Sequence, residues 1–262
     1  MGSPPPLVAY LAPELTAKHL RMWGPVADSL GAPPLRRLHE MATYEGAVLV
    51  GPTPGVRLAL HHRTQHGRPW IYWDRGYYAR FPEVPDPLGY HRLTLNGFQQ
   101  SWVRPNCDPH RLIHIASQWG IPFSPWQRNP NGHILLCAPS QSYATFHYLG
   151  GWVAETAAEL AKRTNRPVVL REKGDPKPLS AALEGCYAVV THGSNVAVEA
   201  AIRGTPVFVS EGSAAAPIGR TSLDDIERPA YPDRQEWLIS LSYGQFTLSE
   251  MVSGFAWSTI MG

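Results

Sequence analysis

The chain has 262 residues, 44% hydrophobic and 17% charged, with a formal net charge of +2. Its length exceeds one average domain and falls short of two large ones, and its composition is that of a packed globular protein, which excludes disorder outside the Gly2 to Pro6 end. The three cysteines, Cys107, Cys137 and Cys186, lie far apart without CxxC spacing. That argues against a disulfide framework or a zinc site, and a reducing cytoplasmic setting is expected. No apolar run approaches the roughly 20 residues of a membrane span, and the start MGSPPPLVAYLAPE lacks a signal peptide's basic segment. No membrane partner is expected.

In chain order, LVAYLA (7 to 12) reads as a strand, Glu14 to Leu30 as a helix, GAVLVG (46 to 51) as a strand, Val56 to His66 as a helix and PWIYWD (69 to 74) as a strand. Strands alternating with helices specify parallel βαβ units. From Tyr77 to Pro130 prolines and turn-prone NGF and RPN segments predict long loops around one or two strands. The alternation then returns: HILLCAP (133 to 139), a helix from Gly151 to Arg163, PVVLRE (167 to 172), a short helix over Pro178 to Glu184, YAVVTHG (187 to 193), a helix over Asn195 to Arg203, and PVFVSEG (206 to 212). Four apolar runs with helices between them predict a doubly wound parallel sheet. The tail from Asp233 to Trp257 reads as two helices split near Tyr243 and Gly244, with Thr247 and Glu250 spaced as a capping box. The expected organisation is α/β, with two Rossmann-like lobes at 1–130 and 131–232 and C-terminal helices at 233–262.

Residues 1–130 hold 13 Lys and Arg against 8 Asp and Glu, while the remainder holds 10 against 13. A basic half suits a polyanionic partner, though a mild excess also arises from an ordinary solvated surface.

In open α/β sheets ligands bind beyond the carboxyl ends of the strands, so the residues just after each run are the informative ones. Ser140 and Gln141 follow HILLCAP, Arg171 and Lys173 follow PVVL, and His192, Gly193, Ser194 and Asn195 follow YAVVT. In THGSNVAVEAAIRGTPV a strand enters a Gly-Ser-Asn turn that opens into a helix, where backbone N–H groups and the Ser194 hydroxyl suit a phosphate or sugar hydroxyl. Simple capping by Ser194 or Asn195 accounts for the same residues. Glu199 sits where an amphipathic pattern favours a small or apolar residue, and a carboxylate there suits the hydroxyls of a ribose. Arg171 and Lys173 supply positive charge for a diphosphate, or else pair with Glu172 or Asp175.

A strand, a Ser-containing HGSN turn, a helix with a Glu-Ala pair and then G-T-P-V resembles the donor lobe of glycosyltransferases of the GT-B fold, and of related sugar-nucleotide epimerases and capsule-polysaccharide transferases. The resemblance covers about residues 131 to 212. It implies that Ser194, Asn195 and Glu199 contact a nucleotide-sugar co-substrate, most simply a UDP-sugar, with Arg171 on the phosphates, no permanently bound cofactor and no requirement for a divalent metal. The chain lacks a long second acidic motif after the Glu199 helix.

A second resemblance, carried by YWDRGYYAR, HRLTLNGFQQ and SYGQFTLSEMVSGFAW, is to small phage-encoded DNA-base glycosyltransferases. It implies a hydroxymethylated pyrimidine in DNA as acceptor, extruded from its stack. Asp74, at the end of an apolar strand, is then the expected base for the acceptor hydroxyl, its alternative a structural pair or loop cap. Arg75, Tyr77, Tyr78, His91, Arg92 and Asn96 are the expected acceptor contacts. The His61-His62 pair with His66 has i, i+4 spacing on a helix, read as a solvated face rather than metal-binding. Two other classes fit the same residues: an epimerase or hydrolase acting on a small nucleotide sugar, and a noncatalytic nucleotide or nucleic-acid binding module.

Overall fold

The computed structural model describes residues 7–13, 15, 24, 26, 27, 30, 37, 40, 44–78 and 89–262. The helix expected over Glu14 to Leu30 falls for the most part outside them. The chain is α/β, with one mixed and one all-parallel sheet, and divides into two compact units, Met1–Gln99 with Ser242–Gly262, and Gln100–Leu241. The division falls at residue 99 rather than 130, because the segment after Gln99 bonds within the second unit. Gln100 Nε2 and the Arg104 N–H both donate to Ser240 Oγ at 2.6 and 2.7 Å. The Ser124 and Gln127 N–H groups donate to the carbonyls of Ile202 and Gly204. The tail is likewise shared between the units.

In the first unit β1 (Leu7–Tyr10), β2 (Gly46–Val50) and β3 (Trp70–Arg75) run parallel, and β4 (His91–Leu95) pairs antiparallel with β3. Helix α1 (Pro54–Gln65) starts on a Thr53 cap with Pro54 in the first turn, where its missing N–H costs nothing. Val48, Ile71, Trp73, Leu93, Phe246 and Trp257 belong to one buried cluster. Arg63 of α1 is fully buried and donates to the carbonyls of Tyr44 and Pro69, each at 2.8 Å, and to that of Glu45. Burial pulls its guanidinium down to about 10, still protonated at neutral pH. Arg63→Met leaves those carbonyls without their donor, and urea unfolding of the variant is expected to read a loss of about 3 kcal/mol.

The second unit is built on β5 (His133–Cys137), β6 (Val168–Arg171), β7 (Cys186–Val190) and β8 (Val207–Phe208), all parallel, in the order β6-β5-β7-β8. Helix α2 (Pro109–Trp119) falls inside the stretch expected to be loop. Asp108 caps it and Gly120 ends it at φ 60°, the usual left-handed terminator. Short helix α3 (Gln141–Phe146) and helix α4 (Trp152–Arg163) follow β5. Leu160 of α4 packs with Ile134, Leu136 and Val190 in the unit's core. Edge strand β6 is less covered than a doubly wound sheet predicts, with Val168, Val169 and Leu170 at 38, 45 and 49% exposure. The connection after it contains only the one-turn helix α5 (Leu179–Ala182).

Helix α6 (Val196–Ile202) leads to β8 through Gly204 at φ +88°. Helix α7 (Gln235–Ser242) ends the unit. Its preceding Arg234 donates to Ser124 O at 2.6 Å and to Ala201 O while stacking on Trp126, which clamps the 124–127 segment to the end of α6. Strand β9 (Gln245–Phe246) then returns to the first sheet, antiparallel to β4. Thr247 and Glu250 form the expected capping box at the start of α8 (Leu248–Val252), and α9 (Phe255–Met261) closes the chain. Among the described residues no helix is long and apolar enough to cross a membrane.

Candidate active site

The order β6-β5-β7-β8 reverses between β5 and β7: the chain leaves β5 for β6 on one side and β7 for β8 on the other. Connections that part in opposite directions open a crevice beyond the carboxyl ends of the two strands. Thr191, 1% exposed, donates its hydroxyl to Cys137 O at 3.0 Å and ties those ends together. The next residue, His192, is held from both sides. Its carbonyl accepts from the Ser210 N–H at 2.9 Å and the Ser210 hydroxyl at 2.7 Å. Its Nδ1 faces the Tyr143 hydroxyl of α3 at 3.4 Å. Trp152 meets the imidazole edge-on at 6.0 Å, and His147 stacks on Tyr143 at 4.1 Å. Burial holds the half-buried imidazole below its ordinary value of 6.5, so it is neutral at pH 7 and able to accept a proton. A pocket of about 220 Å³ opens beside it, lined by Trp152, Thr156, Thr191, His192, Ser210 and Ser222 among others.

Ser140, Gln141, His192, Gly193, Ser194 and Asn195 all follow β5 or β7 at this edge. Ser140 Oγ caps α3 by accepting from the Tyr143 N–H at 3.4 Å, and Ser194 Oγ accepts from the Val196 N–H at 3.3 Å. Both hydroxyls therefore serve the backbone of the site's own elements. Asn195 takes the N-cap position of α6 without a side-chain cap bond. Gln141 is exposed and reaches Thr145 at 3.4 Å. Glu199 is 6% exposed and lies 3.4 Å from Arg203 Nε. Arg171 ends β6 beside Asp175 at 3.6 Å, and Lys173 beyond it is exposed. Among the described residues no three His, Cys, Asp or Glu side chains gather as a metal site.

In the first unit Asp74 and Arg92 face each other across β3 and β4, with a 2.8 Å ion pair that is 33% exposed on the carboxylate side and 6% on the guanidinium side. The other Asp74 oxygen accepts from the Arg75 N–H at 2.8 Å, and the Arg75 carbonyl in turn lies 3.5 Å from Arg92 Nη1. Arg92 also lies over the Tyr77 ring at 5.8 Å. Tyr77, Tyr78 and His91 are 2, 1 and 2% exposed, so these expected acceptor contacts are core. Asn96, at φ 51°, turns the chain by accepting from the Trp70 N–H at 3.0 Å and donating to the Trp70 carbonyl at 2.8 Å.

Tyr143, His147, Trp152 and Ser210 escape sequence reasoning. The first three lie within or beside helices whose site-facing side only the fold reveals. Ser210 sits at the end of PVFVS, where β8 stops two residues earlier, at Phe208.

This is the architecture of an α/β protein with two Rossmann-like units. Compared with known protein families and with curated proteins the chain has no match. Among solved structures it is similar to the KpsC beta Kdo 2,7 transferase of Thermosulfurimonas dismutans, with a TM-score of 0.56 at 11% identity over 95% of this chain and 98% of that one. It is also similar to the KpsC beta Kdo 2,4 transferase of the same organism, with a TM-score of 0.51 at 10% identity over 89% of each. The likeness is one of fold across nearly the whole length.

Proposed function

We propose that the chain is a glycosyltransferase that takes a sugar from a nucleotide-linked donor bound at the β5–β7 switch point and passes it to an acceptor hydroxyl. What carries this function is His192, a neutral imidazole set by Tyr143 and Ser210 beside a pocket, at the point of the sheet where nucleotides bind. The two similar structures, both named as Kdo transferases, support the same class of chemistry. In the reaction the acceptor oxygen forms a bond to the anomeric carbon, the bond from that carbon to the phosphate oxygen breaks with its electron pair leaving on the nucleotide, and His192 Nε2 takes the hydroxyl proton. Arg171 and Lys173 offset the charge on the departing phosphate, so EDTA is expected to leave transfer unchanged.

Asp74, the alternative base, is already engaged by Arg92 and the Arg75 N–H. Of the six side chains expected to meet a DNA-base acceptor, Tyr77, Tyr78, His91 and Arg92 lie in the core, while Arg75 is half-buried and Asn96 exposed, so the acceptor is sought first among glycans. The test incubates the protein with UDP-, GDP-, ADP- and CMP-linked sugars and glycan acceptors, with hydroxymethylated DNA as a further arm, and weighs the products by mass spectrometry. A product heavier by one sugar residue, with nucleotide released, is expected, and a UDP-hexose is the first donor to try. Donor turnover without a heavier product would redirect the function to hydrolase or epimerase chemistry, and nucleotide binding without turnover would redirect it to a binding module.

A further inference from the structure

Helix α3 ends in a way that costs stability. After Phe146 the N–H groups of His147 and Leu149 bond back to the carbonyls of Tyr143 and Ala144 at 2.9 and 2.8 Å, and Tyr148 takes the left-handed conformation at φ 58°. That position normally belongs to glycine, because a Cβ crowds the following carbonyl. Asn96 and Asn106, the other non-glycine residues with positive φ among those described, are of the type that tolerates it. Tyr148 is bulky, and its side chain is not there to fill the core: the residue is 79% exposed, while Phe146, two residues earlier, is 6% exposed.

The same short segment carries the candidate site. His147, its neighbour, stacks on Tyr143, whose hydroxyl meets His192, and Trp152, four residues on, packs edge-on against that imidazole and lines the pocket. Strained backbone kept at a site edge points to function rather than stability. An exposed phenol offers a flat, electron-rich face that matches the C–H face of a pyranose and a hydroxyl that bonds its rim oxygens.

We infer that Tyr148 is the platform on which the sugar ring of the acceptor glycan stacks, a specificity-determining contact of the transferase function proposed above. It rests on that function for the word acceptor, but the contact is testable by binding alone. The probes are a printed glycan array read with the labelled full-length chain, and UDP and CMP titrated by calorimetry, each for wild type, Tyr148→Gly and Tyr148→Trp. Tyr148→Gly relieves the backbone and is expected to melt about 2–4 °C higher, to lose glycan binding at least tenfold and to keep its nucleotide affinity, while Tyr148→Trp keeps glycan binding. Three results would overturn the inference: wild type binding no glycan, Tyr148→Gly binding glycans as wild type does, or the glycine variant losing nucleotide rather than glycan. Glycan binding lost in Tyr148→Gly without transfer by wild type under any donor would leave the platform standing and sink the transferase.

Discussion

His192→Asn is expected to lower kcat by about 100- to 10,000-fold, the range in which a positioned acid or base contributes, while nucleotide affinity stays within about threefold. The substitution keeps a side chain of similar reach in a half-buried site and removes the group that accepts the proton. A pH profile gives the sign. Burial places the His192 pKa below 6.5, so as a base it is active above that value, and kcat/KM is expected to be flat at neutral pH and to fall only on the acid side of 6.5. The same shift acts on stability: between the folded and unfolded values the unfolded chain binds the extra proton, so this contribution is present above pH 6.5 and lost as pH falls towards the folded value. Asp74→Asn separates the two candidate bases. With His192 as the base, the loss at Asp74 appears as a lower melting temperature, because a nearly buried Arg92 loses its carboxylate, and kcat moves little. The reverse pattern, with kcat collapsing at Asp74 and surviving at His192, would transfer the role to Asp74.

Gly204→Ala is expected to be among the most destabilising single substitutions in the second unit. Gly204 lies at φ +88°, and a Cβ there would meet Pro125 O at 2.0 Å, so the left-handed penalty adds to a collision with backbone that cannot rotate away. A loss of about 3 kcal/mol or more is expected in urea unfolding. Gly120→Ala is the control: its φ is +60° with nothing within 4 Å of the added carbon, so it carries the conformational cost alone, about 1–2 kcal/mol. Equal losses at the two positions would show that the packing of Pro125 against α6 matters little. The collision also bears on the site, because α6 descends directly from the His192 turn and the 124–127 segment is clamped to its end by Arg234.

Much of this arrangement is legible from residue order. The runs HILLCAP, PVVLRE, YAVVTHG and PVFVSEG all contain strands, and the rule that ligands gather after strand ends singles out Ser140, His192 and Ser194. The capping box at Thr247 and Glu250 is legible because it is a local bond between residues three apart. Strand neighbours are not local, and nothing in PVVLRE tells an edge strand from a central one, which is why the exposure of Val168 to Leu170 is unexpected. Helix α2 is signalled by Asp108, Pro109 and Gly120, but the prolines and turn-prone NGF and RPN segments around it point to loop. Arg92 and Tyr77 read as acceptor contacts from their chemistry, yet the first sheet buries them. Tyr148 carries no local signal at all, because its meaning lies in a dihedral angle.

The central claim, a nucleotide-linked donor at the β5–β7 switch point, is tested most directly by hydrogen–deuterium exchange of the protein with and without UDP, GDP, ADP and CMP at saturating concentration. Protection by at least one nucleotide concentrated at 138–143, 191–196 and 210–223 is the predicted result. Protection confined to the first unit, or none with any nucleotide, would contradict the account.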